Sequence, residues 1–89
     1  MIKTERTMTS TGMIKYCIEG TDIYHREDGP AVITVSGSEY WYQHGKLHCL
    51  DGPAVKHEND YKAWWYQGKK IIVNNQKDFE QYIKLIAFE

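Results

Sequence analysis

Short blocks of β-branched and aromatic residues fill the first three quarters of the chain, and turn residues separate them. Blocks of this length and composition are typical of β-strands, and the Gly, Ser, Asn and Asp residues between them are typical of turns. Because the turns are short, neighbouring strands should pair as hairpins, which predicts an antiparallel meander of about six strands. The predicted strands cover residues 13–18, 31–35, 39–43, 53–57 and 61–66.

The pattern changes to a helical period near residue 75. Asn75 is a good N-cap, and Asp78, three residues later, can complete a capping-box-like pair. The pattern predicts an amphipathic helix over residues 76–87 that caps the end of the sheet. The apolar residues of its buried face, at the i, i+3, i+4 and i+7 positions, are Phe79, Tyr82, Ile83 and Ile86.

One segment of the chain occurs twice. Residues 24–32 return 23 positions later as residues 47–55, with the shared core His-x-x-Asp-Gly-Pro-Ala-Val. An aromatic or apolar run that ends in glycine precedes each copy, and a third such run, ending at Gly68, starts a copy that then breaks off. This internal repeat predicts tandem hairpin units of about 23 residues, in which each unit is a structural module.

Units of the form aromatic-aromatic-x-x-Gly-Lys-x-His-x-x-Asp-Gly-Pro-Ala-Val resemble the MORN-like variant repeats of small bacterial and bacteriophage proteins. The resemblance covers residues 16–73. It implies an antiparallel β-meander and a viral or mobile-element origin, and it implies no particular activity because the family has none in common. We therefore predict one mainly β domain over residues 1–89, with the repeat meander at 16–73 and the capping helix at 76–87.

The repeated element allows two interpretations. A His beside an Asp can form an acid–base pair or half of a metal site. Alternatively the element is a turn, in which the Asp carboxylate accepts backbone N–H groups, Gly permits positive φ and Pro fixes its own φ. Catalytic groups are rarely duplicated at equal phase in one small chain, so we favour structural turns and predict no catalytic residue and no enzyme activity. The predicted turn residues are His25, Asp28, Gly29, Pro30, His48, Asp51, Gly52 and Pro53.

The four His and two Cys residues of the chain are potential zinc ligands. Structural zinc ligands come in pairs at short spacing, and here only His44 and His48 are so spaced, across a proposed turn. We therefore predict no metal, no cofactor and reduced thiols. The isolated candidates are His25, His57, Cys17 and Cys49.

Charge and hydropathy narrow the classes of partner. The 89 residues carry 11 Lys and Arg against 12 Asp and Glu, and neither half has the basic excess of a nucleic-acid binder. No apolar run approaches the roughly 20 residues of a membrane span, and the N-terminus lacks the apolar centre of a signal peptide. We expect a cytoplasmic protein, located in the host-cell cytoplasm if it is viral, that binds neither membranes nor nucleic acid.

Consecutive aromatic residues put large rings on both faces of two predicted strands, and alternation does not decide which face is buried. Either the helix and a neighbouring sheet or subunit cover both faces, or one face binds a partner. The favoured hypothesis is a noncatalytic protein-binding module, such as a phage-encoded inhibitor of a host enzyme or defence protein. The alternatives are a sheet that self-associates into a homodimer through an edge or the aromatic face, and a nucleotide or single-strand binder with stacked aromatics. The candidate partner contacts are Trp41, Tyr42, Trp64 and Tyr66.

Overall fold

The computed structural model describes residues 2–87, which form nine β-strands and one C-terminal helix. Seven strands make one antiparallel sheet in the order β1-β2-β3-β4-β7-β8-β9, and the hairpin β5-β6 is inserted between β4 and β7. The predicted fold class, a mainly β antiparallel meander with a C-terminal helix, is confirmed. The elements are β1 Thr4–Met8, β2 Ile14–Ile18, β3 Val32–Ile33, β4 Glu39–Tyr40, β5 Tyr42–Gln43, β6 Lys46–Leu47, β7 Val55–Lys56, β8 Lys62–Tyr66, β9 Lys69–Ile71 and α1 Gln76–Ala87.

Residues 2–87 contain nine strands where about six were predicted. Strand β6 was not predicted, and β3 and β7 are shorter than the predicted strands at 31–35 and 53–57. Residues 39–43, predicted as one strand, are divided between the large sheet and the hairpin. The division falls at Trp41, whose backbone N–H donates to Ala54 O at 2.7 Å. The two edge strands β1 and β9 were not predicted, because β1 is exposed along its whole length and β9 begins with two exposed lysines. Such strands lack the alternation of apolar and polar residues that a half-buried strand shows.

The antiparallel order gives the large sheet two different ends. The turns that follow β1, β3 and β7 lie together at the turn end, because these three strands run in the same direction. Each turn is closed by two backbone hydrogen bonds of the same pattern. The inner bonds run from Gly12 N to Thr9 O, from Gly37 N to Thr34 O and from Asp60 N to His57 O, and the outer ones from Thr9 N to Met13 O, from Thr34 N to Ser38 O and from His57 N to Tyr61 O. The loop end carries the two His-x-x-Asp-Gly-Pro segments, the hairpin β5-β6 and the turn between β8 and β9. The repeated sequence is therefore concentrated at one end of the molecule.

Helix α1 packs against the last strands of the sheet. Asn75 Oδ1 accepts a hydrogen bond from Asp78 N at 2.8 Å, which confirms the N-cap. The reciprocal bond of a capping box, from the Asn75 N–H to the Asp78 carboxylate, is not formed within residues 2–87. Phe79 is fully buried and forms a core with Trp64 and Ile71. Around this core pack Tyr66, Val73, Tyr82 and Ile83.

Candidate functional site

The two repeated histidines make the same contact. His25 Nδ1 accepts a hydrogen bond from His44 N at 3.0 Å, and His48 Nδ1 accepts one from Gln67 N at 2.9 Å. His44 and Gln67 are the first residues of the two-residue turns in the hairpins β5-β6 and β8-β9. Each repeated histidine therefore anchors the hairpin turn of the next unit, 19 residues ahead.

The anchored turns have a backbone conformation that favours glycine. His44 and Gln67 have φ values of 53° and 48°, and the glycines after them, Gly45 and Gly68, have φ values of 79° and 87°. Positive φ at both central residues is the requirement of a type I′ hairpin turn. It is costly for a side chain other than Gly, Asn or Asp, so the bond from each histidine helps to hold an unfavourable conformation.

A second bond ties each turn to its histidine segment. Gly45 N donates to Tyr24 O at 2.8 Å, and Gly68 N donates to Leu47 O at 2.9 Å. Tyr24 and Leu47 directly precede the two repeated histidines. Both turns are thus fixed by one backbone and one side-chain acceptor from the unit before them.

The histidine contacts also set the tautomer of each ring. A neutral imidazole whose Nδ1 accepts a hydrogen bond carries its proton on Nε2. Burial lowers the pKa of His48, which favours this neutral form. His25 lies deeper, with 1% of its surface exposed, and among residues 2–87 its Nε2 has no hydrogen-bond partner. Glu27 Oε1 lies 3.7 Å from that nitrogen.

The Asp-Gly-Pro residues are positioned differently from the prediction. Neither Gly29 nor Gly52 has a positive φ. The Asp28 carboxylate accepts from Arg26 Nε at 3.2 Å rather than from the backbone, and within residues 2–87 the Asp51 carboxylate accepts no hydrogen bond. A Cβ at residue 29 would lie 2.7 Å from Arg26 Cζ, so a larger residue there would displace the Arg26 guanidinium.

The residues after the two glycines enter the sheet in the same way in both copies. Ala31 and Ala54 are fully buried, and the valines that follow them lie in β3 and β7. In the second copy the backbone N–H groups of Asp51 and Gly52 reach the buried Cys49 thiol. Burial raises the pKa of Cys49, and these two N–H groups only partly oppose that rise.

The four aromatic residues predicted as partner contacts fall into three environments. Trp64 is 6% exposed, packs in the core against Phe79 and donates from Nε1 to Gln76 Oε1 at 2.8 Å, so it has no surface to offer a partner. Tyr42 is half-buried, and its ring centre is 5.1 Å from that of Tyr24. The pKa of Tyr42 is raised mainly by burial and to a smaller extent by the phenols of Tyr24 and Tyr40. The other two, Trp41 and Tyr66, are half-buried and lie beside the second histidine segment.

Two adjoining cavities mark the surface near Trp41, and they share Gln43 and His48. Tyr66 lines neither cavity, but its ring centre is 5.3 Å from that of His48, which lines both. Tyr42 lines neither cavity, as expected from the alternation of side chains along β5. The cavity of about 190 Å³ is lined by Gln43, His44, Lys46, His48 and Gln67, and the cavity of about 160 Å³ by Glu27, Trp41, Gln43, His48, Cys49, Leu50 and Asp51. We call the surface of Trp41, Gln43, Lys46, His48 and Tyr66 the hairpin face.

The hairpin face does not have the composition of a metal centre. His44 and His48 line the same cavity, but Lys46 lies there too, and an ammonium group competes with a cation. No group of three or more His, Cys, Asp or Glu side chains suited to one metal ion occurs within residues 2–87. The arrangement offers hydrogen-bond donors and aromatic surface, and these are the means of noncovalent binding.

No protein-family model, curated protein or solved structure matches this chain. The relation to MORN-like repeats therefore stays a prediction from the repeat residues, and function has to be argued from the chain's own geometry. Within the described residues, α1 is too short and too polar to cross a membrane.

Proposed function

We propose that the protein is a noncatalytic module that binds another protein through the hairpin face. The observation that supports this is the position of two half-buried aromatic residues near His48: Trp41 lines one of the two cavities that His48 borders, and the Tyr66 ring contacts His48. Trp and Tyr supply much of the binding energy at protein interfaces when they fill pockets on the partner or line pockets for it. Because the two histidine anchors already fix both hairpins, binding would order little further chain.

The kind of partner follows from the resemblance of the repeat rather than from the site. A small bacteriophage-type protein without a catalytic constellation suits direct inhibition of a host enzyme or defence protein in the host-cell cytoplasm. An inhibitor of this kind needs a rigid surface and no chemistry of its own. The hairpin face is such a surface.

Self-association through a sheet edge is the weaker alternative, because both edges carry charge. Lys3 O accepts from Glu19 N and Thr9 N donates to Met13 O, so the odd-numbered residues of β1 bond to β2 and the even-numbered ones face the open edge. Pairing two copies along the full length of β1 would then place Arg6 opposite Arg6 of the second copy, which is unfavourable. The other edge strand, β9, begins with two exposed lysines. Charged edges of this kind oppose edge-to-edge pairing.

The test is site-specific photocrosslinking in a host lysate that has been treated with nuclease. A photoreactive phenylalanine analogue replaces Leu50, which lines the smaller cavity and is 47% exposed, or, as the control, Val35 at the turn end, which is 70% exposed. We expect one protein to crosslink from residue 50 and not from residue 35, and Trp41→Ala to abolish that crosslink. Equal crosslinking from both positions, or crosslinking that Trp41→Ala leaves unchanged, would contradict the assignment.

A further inference from the structure

The larger of the two cavities on the hairpin face lies between the anchored turns and is lined by hydrogen-bond donors. Lys46 contributes an ammonium group, and Gln43 and Gln67 contribute amide N–H₂ groups. His48 contributes an Nε2–H, because its Nδ1 is occupied by the N–H of Gln67. Each of these side chains can donate a hydrogen bond to a single anionic group in the cavity.

Carboxylates are missing from this cavity and present in the one beside it. The five side chains around the larger cavity include no Asp or Glu, whereas Glu27 and Asp51 line the smaller one. Within residues 2–87, Lys46 makes no ion pair with any acidic side chain. The charge of Lys46 is therefore available to a ligand, although the chain as a whole has a net charge of −1.

The position of Lys46 is constrained by its neighbours. It pairs with Gln43 across the hairpin β5-β6, which places both side chains on one face. Its aliphatic carbons pass close to the second turn, since a Cβ at Gly68 would lie 3.5 Å from Lys46 Cβ, Cγ and Cδ. The stem of Lys46 thus packs between the two turns, which limits where the ammonium group can go.

We propose that this cavity, the anion pocket, binds the carboxylate of a Glu or Asp side chain on the protein partner. One cation together with neutral donors matches the single negative charge of a carboxylate, whereas a phosphate group carries about −1.5 to −2 at pH 7. A volume of about 190 Å³ accommodates one acidic side chain. The proposal rests on the proposed function, because it names the chemistry of the partner that binds the hairpin face.

The test uses the purified protein and two capped dipeptides, N-acetyl-Glu-Glu-amide and its uncharged isostere N-acetyl-Gln-Gln-amide. The ring C–H resonances of His48 and His44 and the backbone amide of Gln67 are followed by NMR during titration at low salt. We expect saturable shifts with the Glu peptide, at least about fivefold weaker binding of the Gln peptide, and loss of affinity as salt rises. Equal binding of the two peptides, or no saturable shift with either, would overturn the proposal.

Two variants distinguish the pocket from general attraction by lysines. Lys46→Gln should weaken binding of the Glu peptide about fivefold, whereas Lys70→Gln, on β9 and in contact with Tyr61, should leave it unchanged. Equal loss in both variants would show diffuse attraction and overturn the assignment. A third titration with inorganic phosphate completes the test, since saturable binding of phosphate without binding of the Glu peptide would also overturn it.

The outcome is separable from that of the proposed function. Lys46→Gln should reduce crosslinking of the partner from residue 50 without altering the fold, which the Gln67 amide resonance reports. If Lys46→Gln crosslinks like the wild type while Trp41→Ala does not crosslink, the hairpin face binds its partner and the anion pocket does not take part.

Discussion

The two copies of the repeat share the two hydrogen bonds that hold the next hairpin turn, and they differ in the surroundings of the histidine. In the first copy His25 is fully buried, its ring centre is 4.7 Å from that of His44, and an acidic side chain lies near its Nε2. In the second copy His48 is half-buried, borders Tyr66 and opens onto two cavities. The repeat therefore preserves an anchor for the hairpin turn, and the surface proposed for binding lies where the copies differ.

The tryptophans that come 16 residues after each repeated histidine show the same contrast. Trp64 Nε1 donates to Gln76 Oε1, and Gln76 Nε2 donates in turn to Leu50 O at 3.0 Å, so the first turn of α1 holds Trp64 against the segment after His48. Trp41, 23 residues earlier, is half-buried, and its buried Nε1 has no hydrogen-bond partner among residues 2–87. The same residue type is therefore fully packed where α1 supplies a partner for its Nε1 and only half-buried at the equivalent position of the preceding hairpin.

The largest expected effect on stability tests this difference between Trp64 and Trp41. Trp64→Ala should lower the free energy of unfolding by about 3–5 kcal/mol, because it leaves a cavity against Phe79. Trp41→Ala should cost less than about 2 kcal/mol, because its side chain is only half-buried. Urea denaturation measures both. Equal losses would mean that Trp41 is a core residue and that the hairpin face is misplaced.

The next largest effect distinguishes the contribution of His25 to stability from that of His48. His25→Ala should cost about 2–3 kcal/mol, since it removes a fully buried ring as well as a hydrogen bond. His48→Ala should cost about 1 kcal/mol, chiefly the bond to Gln67. Amide hydrogen exchange locates the damage, because Gln67 should exchange faster in His48→Ala while His44 does not. Uniformly faster exchange would mean that the bond does not anchor its own turn.

A smaller loss of stability should follow when the contact between α1 and Trp64 is removed. Gln76→Ala removes the acceptor of Trp64 Nε1 and the donor to Leu50 O, and it should cost about 1 kcal/mol. Lys77→Ala, at the next and exposed position of the helix, is the matched control and should cost almost nothing. The indole N–H resonance of Trp64 should shift in Gln76→Ala alone. An unshifted resonance would show that this bond is not formed.

The sequence predicted the fold through local signals and missed features that arise from long-range contacts. Asn75 and the apolar spacing after it predicted the helix correctly, because capping and helical period are read within a few residues. Strand β1 was missed because an exposed edge strand has no apolar pattern. The anchor from His48 to Gln67 was missed because the sequence shows the repeated His and the Gly turn separately, and only their constant spacing of 19 residues connects them.

The candidate site was predicted in part for the same reason. Trp41 and Tyr66 lie on the hairpin face, and Trp64, chosen on the same grounds, lies in the core. Aromatic content does not distinguish the two, since the difference depends on where α1 packs. Lys46 was not singled out, because its role depends on the cavity between two turns that are distant in sequence.

The smallest expected effect is a dependence of stability on pH that belongs to the second copy. Burial lowers the pKa of His48 below its ordinary value near 6.5, so between these two values the unfolded chain binds more protons than the folded one. Stability from this group is therefore complete above about pH 6.5 and is lost as the pH falls toward the folded pKa, where protonation of Nδ1 displaces the Gln67 N–H. The loss should be below about 1 kcal/mol, given that His48 is only half-buried.

Urea denaturation between pH 5 and 8 tests this dependence, with His48→Gln as the variant and His57→Gln as the control. Because Gln cannot titrate, His48→Gln should remove the contribution of His48 from the dependence of stability on pH. His57→Gln should retain that contribution. The protection factor of the Gln67 amide, which corrects for the intrinsic slowing of exchange in acid, should also decrease in the wild type as the pH falls toward the folded pKa of His48. A profile that His48→Gln leaves unchanged would show that this anchor does not respond to pH, and the difference between the two copies would then be one of burial alone.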